Sequence, residues 1–226
     1  MPQERESMSV EQSFWEGVKS GNRKLVSDAL VASLWLANAR DSNGTPAVLV
    51  ALYRHHRDIA DLLVAMGAEM DLWIGAAIGD LNVIESWAEN QPTSVDAISS
   101  DGFLPLCLAA LFQQHQAVIA LLCRNANPSL RSRSMDYLSP LDAAVLGGSV
   151  ECLKPLLARG APPNDRNRIG YSPLHLAAQY GRVEMVYPLL QKGASPQILD
   201  LKNQTPLQVA EAFGQRAFAQ YLREAA

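Results

Sequence analysis

The chain has 226 residues, 48% of them hydrophobic and 19% charged, enough apolar material for one large folded domain or two small ones. A net charge of −4 and a sequence pI of about 5.6 argue against nucleic-acid binding by general electrostatics. Three cysteines with no Cys-x-x-Cys spacing point to a reducing compartment, and the polar start MPQERESMSV lacks the apolar segment of a secretory signal.

Residues 1–11 read as a polar tail. Phe14-Trp15 through Gly21 begins a first, weakly patterned helical unit. Thr45-Pro46 opens a second, which ends at Gly67-Ala68 and carries one extra residue near His55-His56. Asp71-Leu72-Trp73 through Gly79-Asp80 keeps a helix, small residues and a turn glycine without a Thr-Pro start. Only Glu69 and Met70 stand between it and Gly67-Ala68, so a connecting hairpin is expected to be missing there. Leu104-Pro105-Leu106-Cys107-Leu108-Ala109-Ala110 opens the next unit, with Asn125-Ala126 at its end and a longer connection around Arg131 to Tyr137.

Three C-terminal segments, starting at Ser139, Ser172 and Thr205, then repeat the same text. Pro140, Pro173 and Pro206 lie 33 residues apart, as do Gly148, Gly181 and Gly214, and Gly160 recurs at Gly193. Each feature has a physical reason. A Ser or Thr hydroxyl can cap orphan helix amides, and proline at the first helical position sacrifices no hydrogen bond. The Ala177-Ala178 pair lets one helix lie close to its neighbours. Gly181 permits the chain to reverse between two antiparallel helices. Val186, Leu189 and Leu190 form the apolar stripe of a second helix, which Gly193-Ala194 ends. Pro155 and Pro188, one period apart inside second helices, predict that those helices bend or start late.

Ser172-Pro173-Leu174-His175-Leu176-Ala177-Ala178, followed by Gly181 and Gly193-Ala194, resembles the ankyrin repeat. The resemblance implies an all-α solenoid with short β-hairpin fingers, about seven helix-turn-helix units near 12–44, 45–69, 70–103, 104–138, 139–171, 172–204 and 205–226, in a single domain over 12–226. The short Gly-Ala-x-x-Asp-Leu-Trp junction resembles free-standing bacterial ankyrin proteins. Thr45, Pro46, Pro140, Pro173, His175, Gly181, Gly193 and Pro206 are the structural motif positions. His175 occupies the repeat's own histidine position, where imidazole ties loop backbone to the helix.

Ankyrin ladders usually hold a partner protein against the fingers and the exposed end of each first helix. Tyr53, Ile78, Phe112, Tyr180 and Phe213 place large apolar groups at that helix end. Phe103, Leu138 and Tyr171 stand directly before helix starts, and Arg131, Arg133, Arg166 and Arg168 fall in successive fingers. An aromatic strip rimmed by arginine is the composition of a protein-binding face, so a partner protein with an acidic or apolar surface is expected. Residues 1–100 carry 7 basic and 14 acidic side chains, and 101–226 carry 12 and 9, so the basic excess lies in the second stretch. Packing of some aromatics into the core, and self-association through the same strip, are the alternatives.

Chemistry is not foreshadowed. His55 and His56 are adjacent, so on a helix they diverge by about 100° and cannot share an ion. His115 reads as part of an inter-helix turn. No metal-ligand spacing, phosphate loop or nucleophile elbow occurs, and Cys107, Cys123 and Cys152 read as buried structural thiols. The expectation is a non-enzyme without cofactor or metal, not bound to nucleic acid or membrane, and cytoplasmic; no stretch approaches the ~18 apolar residues of a membrane span.

Overall fold

The computed structural model describes residues 9–90, 95–134 and 137–225. Its helices form seven pairs: α1 (Val10–Ser20) with α2 (Arg23–Ala32), α3 (Ala47–Tyr53) with α4 (Arg57–Ala65), α5 (Leu72–Ile78) with α6 (Leu81–Asn90), α7 (Pro105–Leu111) with α8 (His115–Cys123), α9 (Pro140–Gly147) with α10 (Val150–Ala158), α11 (Pro173–Gln179) with α12 (Val186–Gln191), and α13 (Pro206–Ala212) with α14 (Arg216–Ala225). Residues up to Ile74 gather into one compact unit and those from Gly75 into another. In the first, α1 packs on α2 and α3, and α2 on α4. In the second, the first helices α7, α9, α11 and α13 stack in sequence, and α6, α8 and α10 form a parallel row behind them.

Local chemistry sets the helix starts. Ser139, Ser172 and Thr205 each form a capping box with the third helical residue, and Pro140, Pro173 and Pro206 follow in the first turn. Pro46 instead is itself the cap residue of α3. Every reversal within a pair passes through a left-handed residue near its turn: Gly21, Gly79, Gly148, Gly181 and Gly214 in five pairs, His55 and Gln113 in the other two. His55 is thus a turn residue and His56 the cap of α4, whereas His115 is the first residue of α8 rather than part of the turn. Second helices end at Gly67, Asn125, Gly160 and Gly193, all at positive φ.

Helix pairs are tied by two repeated contacts. Asn38, Asp96 and Asn164 accept hydrogen bonds from the amides of Glu69, Asn127 and Ser195, each 31 residues later. The turn glycines are also covered by a side chain of the following pair: His56 on Gly21, Gln114 on Gly79, Arg182 on Gly148 and Gln215 on Gly181. Gln215 Nε2 donates to the carbonyl of Gln179 at 3.1 Å, closing the end of α11. The apolar cores between pairs are built from small and branched residues such as Ala144, Val145, Leu174 and Ala177, all with essentially no exposure.

The expected β-hairpin fingers are tight turns. Among the described residues the isolated bridge between Arg40 and Pro46 is the one strand-like pairing outside helices. The amides of Gly44, Gly102, Tyr137, Gly170 and Asn203 donate to the carbonyls of Asp41, Ser99, Ser134, Asn167 and Asp200. The carboxyl or carboxamide of Asp41, Asn167 and Asp200 accepts two further amides of its own turn, which orders the loop without a strand partner. No such turn or bridge occurs within 66–72, where Asp71 Oδ1 accepts the Ile74 amide and α5 begins at once. Of the two prolines in second helices, Pro188 follows a 3-10 turn (Val183–Met185) that delays the start of α12, as expected. Pro155 instead sits inside an α10 that begins at Val150. The carbonyl it leaves free belongs to the exposed Glu151, where water can take the place of the lost amide.

Candidate protein-binding surface

The turns between pairs and the ends of the first helices carry most of the exposed apolar side chains of the second compact unit. Tyr137 (44% exposed), Ile169 (57%) and Leu201 (70%) stand on successive turns, and Tyr180 (49%) and Phe213 (51%) cap α11 and α13. Leu146 and Leu176, together with Leu138, Ile169 and Tyr180, line an open groove of about 230 Å³ between the 167–170 turn and helices α9 and α11. Arg168 and Gln179 stand at its edge. Gly147 ends α9 because a side chain there would run into the Leu111 carbonyl of α7, so this helix end contributes no anchor.

Sequence-predicted positions divide by exposure. Tyr180, Phe213, Arg133, Arg166 and Arg168 are exposed, while Ile78, Phe103 and Phe112 are half-buried. Tyr53, in the first compact unit, is half-buried as well. Leu138 and Tyr171 belong to the core, at 4% and 8% exposure. Leu138 lines the floor of the groove, and the Tyr171 ring stacks on His175 with centroids 5.4 Å apart. Arg131 also departs from the expected rim. It turns inward, 3.1 Å from Asp142 Oδ2 and 3.2 Å from Asp165 Oδ2, and donates to the Tyr137 carbonyl at 2.9 Å. Its neighbour Arg133 stays in solvent.

Tyr137 and Ile169 are surface residues that the sequence reading did not single out. A signal for Tyr137 existed: Gly44-Thr45, Gly102-Phe103 and Gly170-Tyr171 place glycine one residue before the helix entry, and Tyr137-Leu138 does not. Tyr137 nevertheless adopts the same left-handed backbone, at φ 54°. A bulky residue there costs on the order of 1–2 kcal/mol. The Arg168 guanidinium lies over its ring, 6.0 Å from the centroid, which holds Arg168 at the groove edge.

The titratable groups nearest this face are structural. His175 is fully buried; its Nδ1 accepts the Ser172 amide at 3.2 Å, so Nε2 carries the proton and donates to the Gln204 carbonyl at 3.0 Å. Burial holds its pKa below the usual histidine value. Cys107 fills the same register in α7, and its thiol donates to the Leu138 carbonyl at 3.6 Å. Burial and the nearby Asp142 carboxyl push that thiol far above its ordinary range, which leaves it inert. Asp142 takes the register in α9, where burial raises its pKa against the opposing pull of Ser139 and Arg131. Cys152 is buried too, but Cys123 is exposed at the end of α8, contrary to the expectation of three buried thiols. Among the described residues, no group of three or more His, Cys, Asp or Glu is placed to hold a metal ion. No helix among them is long and apolar enough to cross a membrane.

Paired helices, ordered turns between successive pairs and a histidine tie to the next turn define a helical repeat protein. Residues 141–226 match the family model for ankyrin repeats (3 copies), so this part of the chain carries ankyrin repeats. It is similar to the Ankyrin repeat and SAM domain-containing protein 6 of Rattus norvegicus, 30% identical over 133 residues, which is 54% of this chain and 15% of that relative. The Mus musculus protein of the same name is 29% identical over 133 residues, with the same shares. The chain therefore covers a small part of the length of these relatives. Ankyrin repeats generally mediate protein–protein interaction, and the family is typically not enzymatic.

Proposed function

We propose that the chain is a non-catalytic adaptor or inhibitor that holds a partner protein across the turns and first-helix ends of its second compact unit. The observation that carries this reading is the exposed row of Tyr137, Ile169, Tyr180, Leu201 and Phe213 beside Arg133, Arg166 and Arg168, which have no acidic partner among the described residues. Clustered exposed apolar residues of this kind mark interaction sites on soluble proteins. Aromatic anchors with an arginine rim are also typical of binding hot spots. In this reading the chain works in the cytoplasm and residues 12–226 form one cooperative domain, which requires a single unfolding transition.

The test is capture from the host lysate with the tagged chain and with a Tyr180→Ser, Ile169→Ser double variant. Each anchor commonly contributes ~2 kcal/mol, so the double change should weaken capture about a hundredfold or more. Circular dichroism and melting temperature should stay unchanged, because both side chains already face solvent. Equal capture by the folded double variant would refute the surface. Self-association through the same row would appear as a size-exclusion mass above the 24.6 kDa of one chain, lowered by the same substitutions.

A further inference from the structure

The groove between α9, α11 and the 167–170 turn restricts what the partner presents. Its volume of about 230 Å³ is below the roughly 300–1,000 Å³ usual for small-molecule sites, so it suits a single large side chain. Its floor is apolar, formed by Leu138, Leu146 and Leu176, with Ile169 and Tyr180 as walls. The carboxamide oxygen of Asn167, in the lining, is committed to its own turn: Oδ1 accepts the amides of Ile169 at 3.2 Å and Tyr171 at 2.9 Å. The other polar lining residues, Arg168 and Gln179, stand at the edge, where they can meet the flanks of a ligand.

The rim has the opposite character. Arg133, Arg166, Arg168 and Lys202 are exposed, and none has an acidic partner among the described residues. The described carboxylates of the same turns are occupied. Asp165 faces Arg131 at 3.2 Å, and Asp200 is 4% exposed and accepts the amides of Lys202 and Gln204. This cationic face stands on a chain whose net charge is −4, so it is local and not a consequence of general basicity. Arg133 and Arg166 occupy one position of successive turns, 33 residues apart, which sets cations in a line along the mouths of the repeats.

From these features we propose that the groove binds an extended acidic segment of a partner chain carrying one large apolar side chain. The apolar side chain enters between Ile169 and Tyr180, and flanking carboxylates meet the arginines. Arg168, steadied over the left-handed Tyr137, is the cation nearest the entrance. The inference rests on the interaction reading above and narrows it to a linear ligand of stated chemistry. Apolar anchoring favours a peptide over single-stranded nucleic acid, whose bases stack on flat aromatic platforms and gain little from an aliphatic groove.

Fluorescence anisotropy at low salt with defined probes tests it. The probes are a short Asp/Glu-rich peptide with one central leucine, the same peptide with glycine in place of leucine, the Asn/Gln version that keeps leucine, and single-stranded DNA of matched charge. The acidic leucine peptide should bind at least about tenfold more tightly than each of the other three. Ile169→Ser with Tyr180→Ser should erase the preference for leucine over glycine, and Arg166→Ser with Arg168→Ser the preference for acid over amide. Equal binding of the glycine peptide, tighter binding of the DNA, or no binding of the acidic leucine peptide to the folded chain up to about 1 mM would overturn the proposal. If that happens while lysate capture still depends on Ile169 and Tyr180, the partner docks as a folded surface and only the linear-segment inference falls. If capture is also insensitive, the interaction surface itself falls.

Discussion

Adjacent or equivalent residues in this chain do opposite work, and stability measurements separate them. Arg131 and Arg133 are two residues apart, yet Arg131 is 11% exposed against a fully buried Asp142, while Arg133 is in solvent without an acidic partner. Removing Arg131 leaves a buried carboxyl uncompensated, so Arg131→Ala should cost about 3–5 kcal/mol in urea unfolding. Arg133→Ala should change stability by less than about 0.5 kcal/mol. Equal effects would mean that the Arg131–Asp142 pair is not formed in solution. His175 makes a pH-dependent contribution. Its folded pKa is lowered by burial, so below the unfolded value of about 6.5 the unfolded chain takes up a proton that the folded chain resists. The stability it contributes is therefore full above that pH and declines as pH falls toward the folded pKa. Gln208 fills the same register in α13, which makes His175→Gln a tolerable replacement. That variant should lose about 1 kcal/mol at pH 7.5 and show a flatter dependence of stability between pH 7 and 5.5 than the parent. A variant with the parent's slope in that window would assign the dependence to other groups.

At the scale of helices and turns, the reversals are constrained twice over. Gly181 has φ +65°, and a Cβ there would also collide with the Gln215 carboxamide that closes α11. Gly181→Val should therefore cost about 1–3 kcal/mol, from left-handed strain in a β-branched residue and from displacing Gln215. The two origins separate in a cycle with Gly181→Ala and Gln215→Ala. If the collision matters, the double variant loses less than the sum of the singles by at least about 0.5 kcal/mol. Strict additivity would leave backbone strain as the whole cause. The helix starts were legible in the sequence because their signals are local: a hydroxyl cap, a proline and a third-position partner lie within four residues at Ser139, Ser172 and Thr205. The binding surface was legible only in outline. Tyr171 and Ile169 are two residues apart, and the left-handed Gly170 between them sends Tyr171 onto His175 and leaves Ile169 outside. Sequence position alone cannot assign those directions, because they follow from the turn's φ and from whether the next helix offers a ring to stack on. The same reasoning explains Arg131: its inward course depends on Asp142 replacing histidine at the register of His175, a contact visible once the two pairs are stacked.

Over the whole molecule, charge and apolar surface act on different stages of association. Residues 1–100 carry a net −7 and residues 101–226 a net +3, counting Lys and Arg against Asp and Glu. The exposed part of the basic excess includes Arg133, Arg166 and Arg168, none of which has an acidic partner among the described residues. Their field reaches about 30 Å at 0.01 M salt and about 8 Å at 0.15 M. They therefore act on an approaching acidic partner before contact, which raises the association rate. Once the complex has formed they remain at a wet rim, where each exposed pair is worth only about 0–1 kcal/mol. Tyr180 and Ile169 have no long-range field, and their contribution appears when water leaves the groove, so it lies in the dissociation rate. We expect Arg133→Ser with Arg166→Ser to slow association with the acidic leucine peptide about tenfold at 0.01 M salt. The loss should shrink to within about twofold at 0.5 M, with the dissociation rate and melting temperature nearly constant. Tyr180→Ser should show the converse, a faster dissociation at every salt concentration and an association rate close to the parent's. Stopped-flow measurements across that salt range decide it. A double arginine variant whose defect persists undiminished at 0.5 M, or appears mainly in dissociation, would place these arginines in a desolvated contact and make them anchors in place of guides.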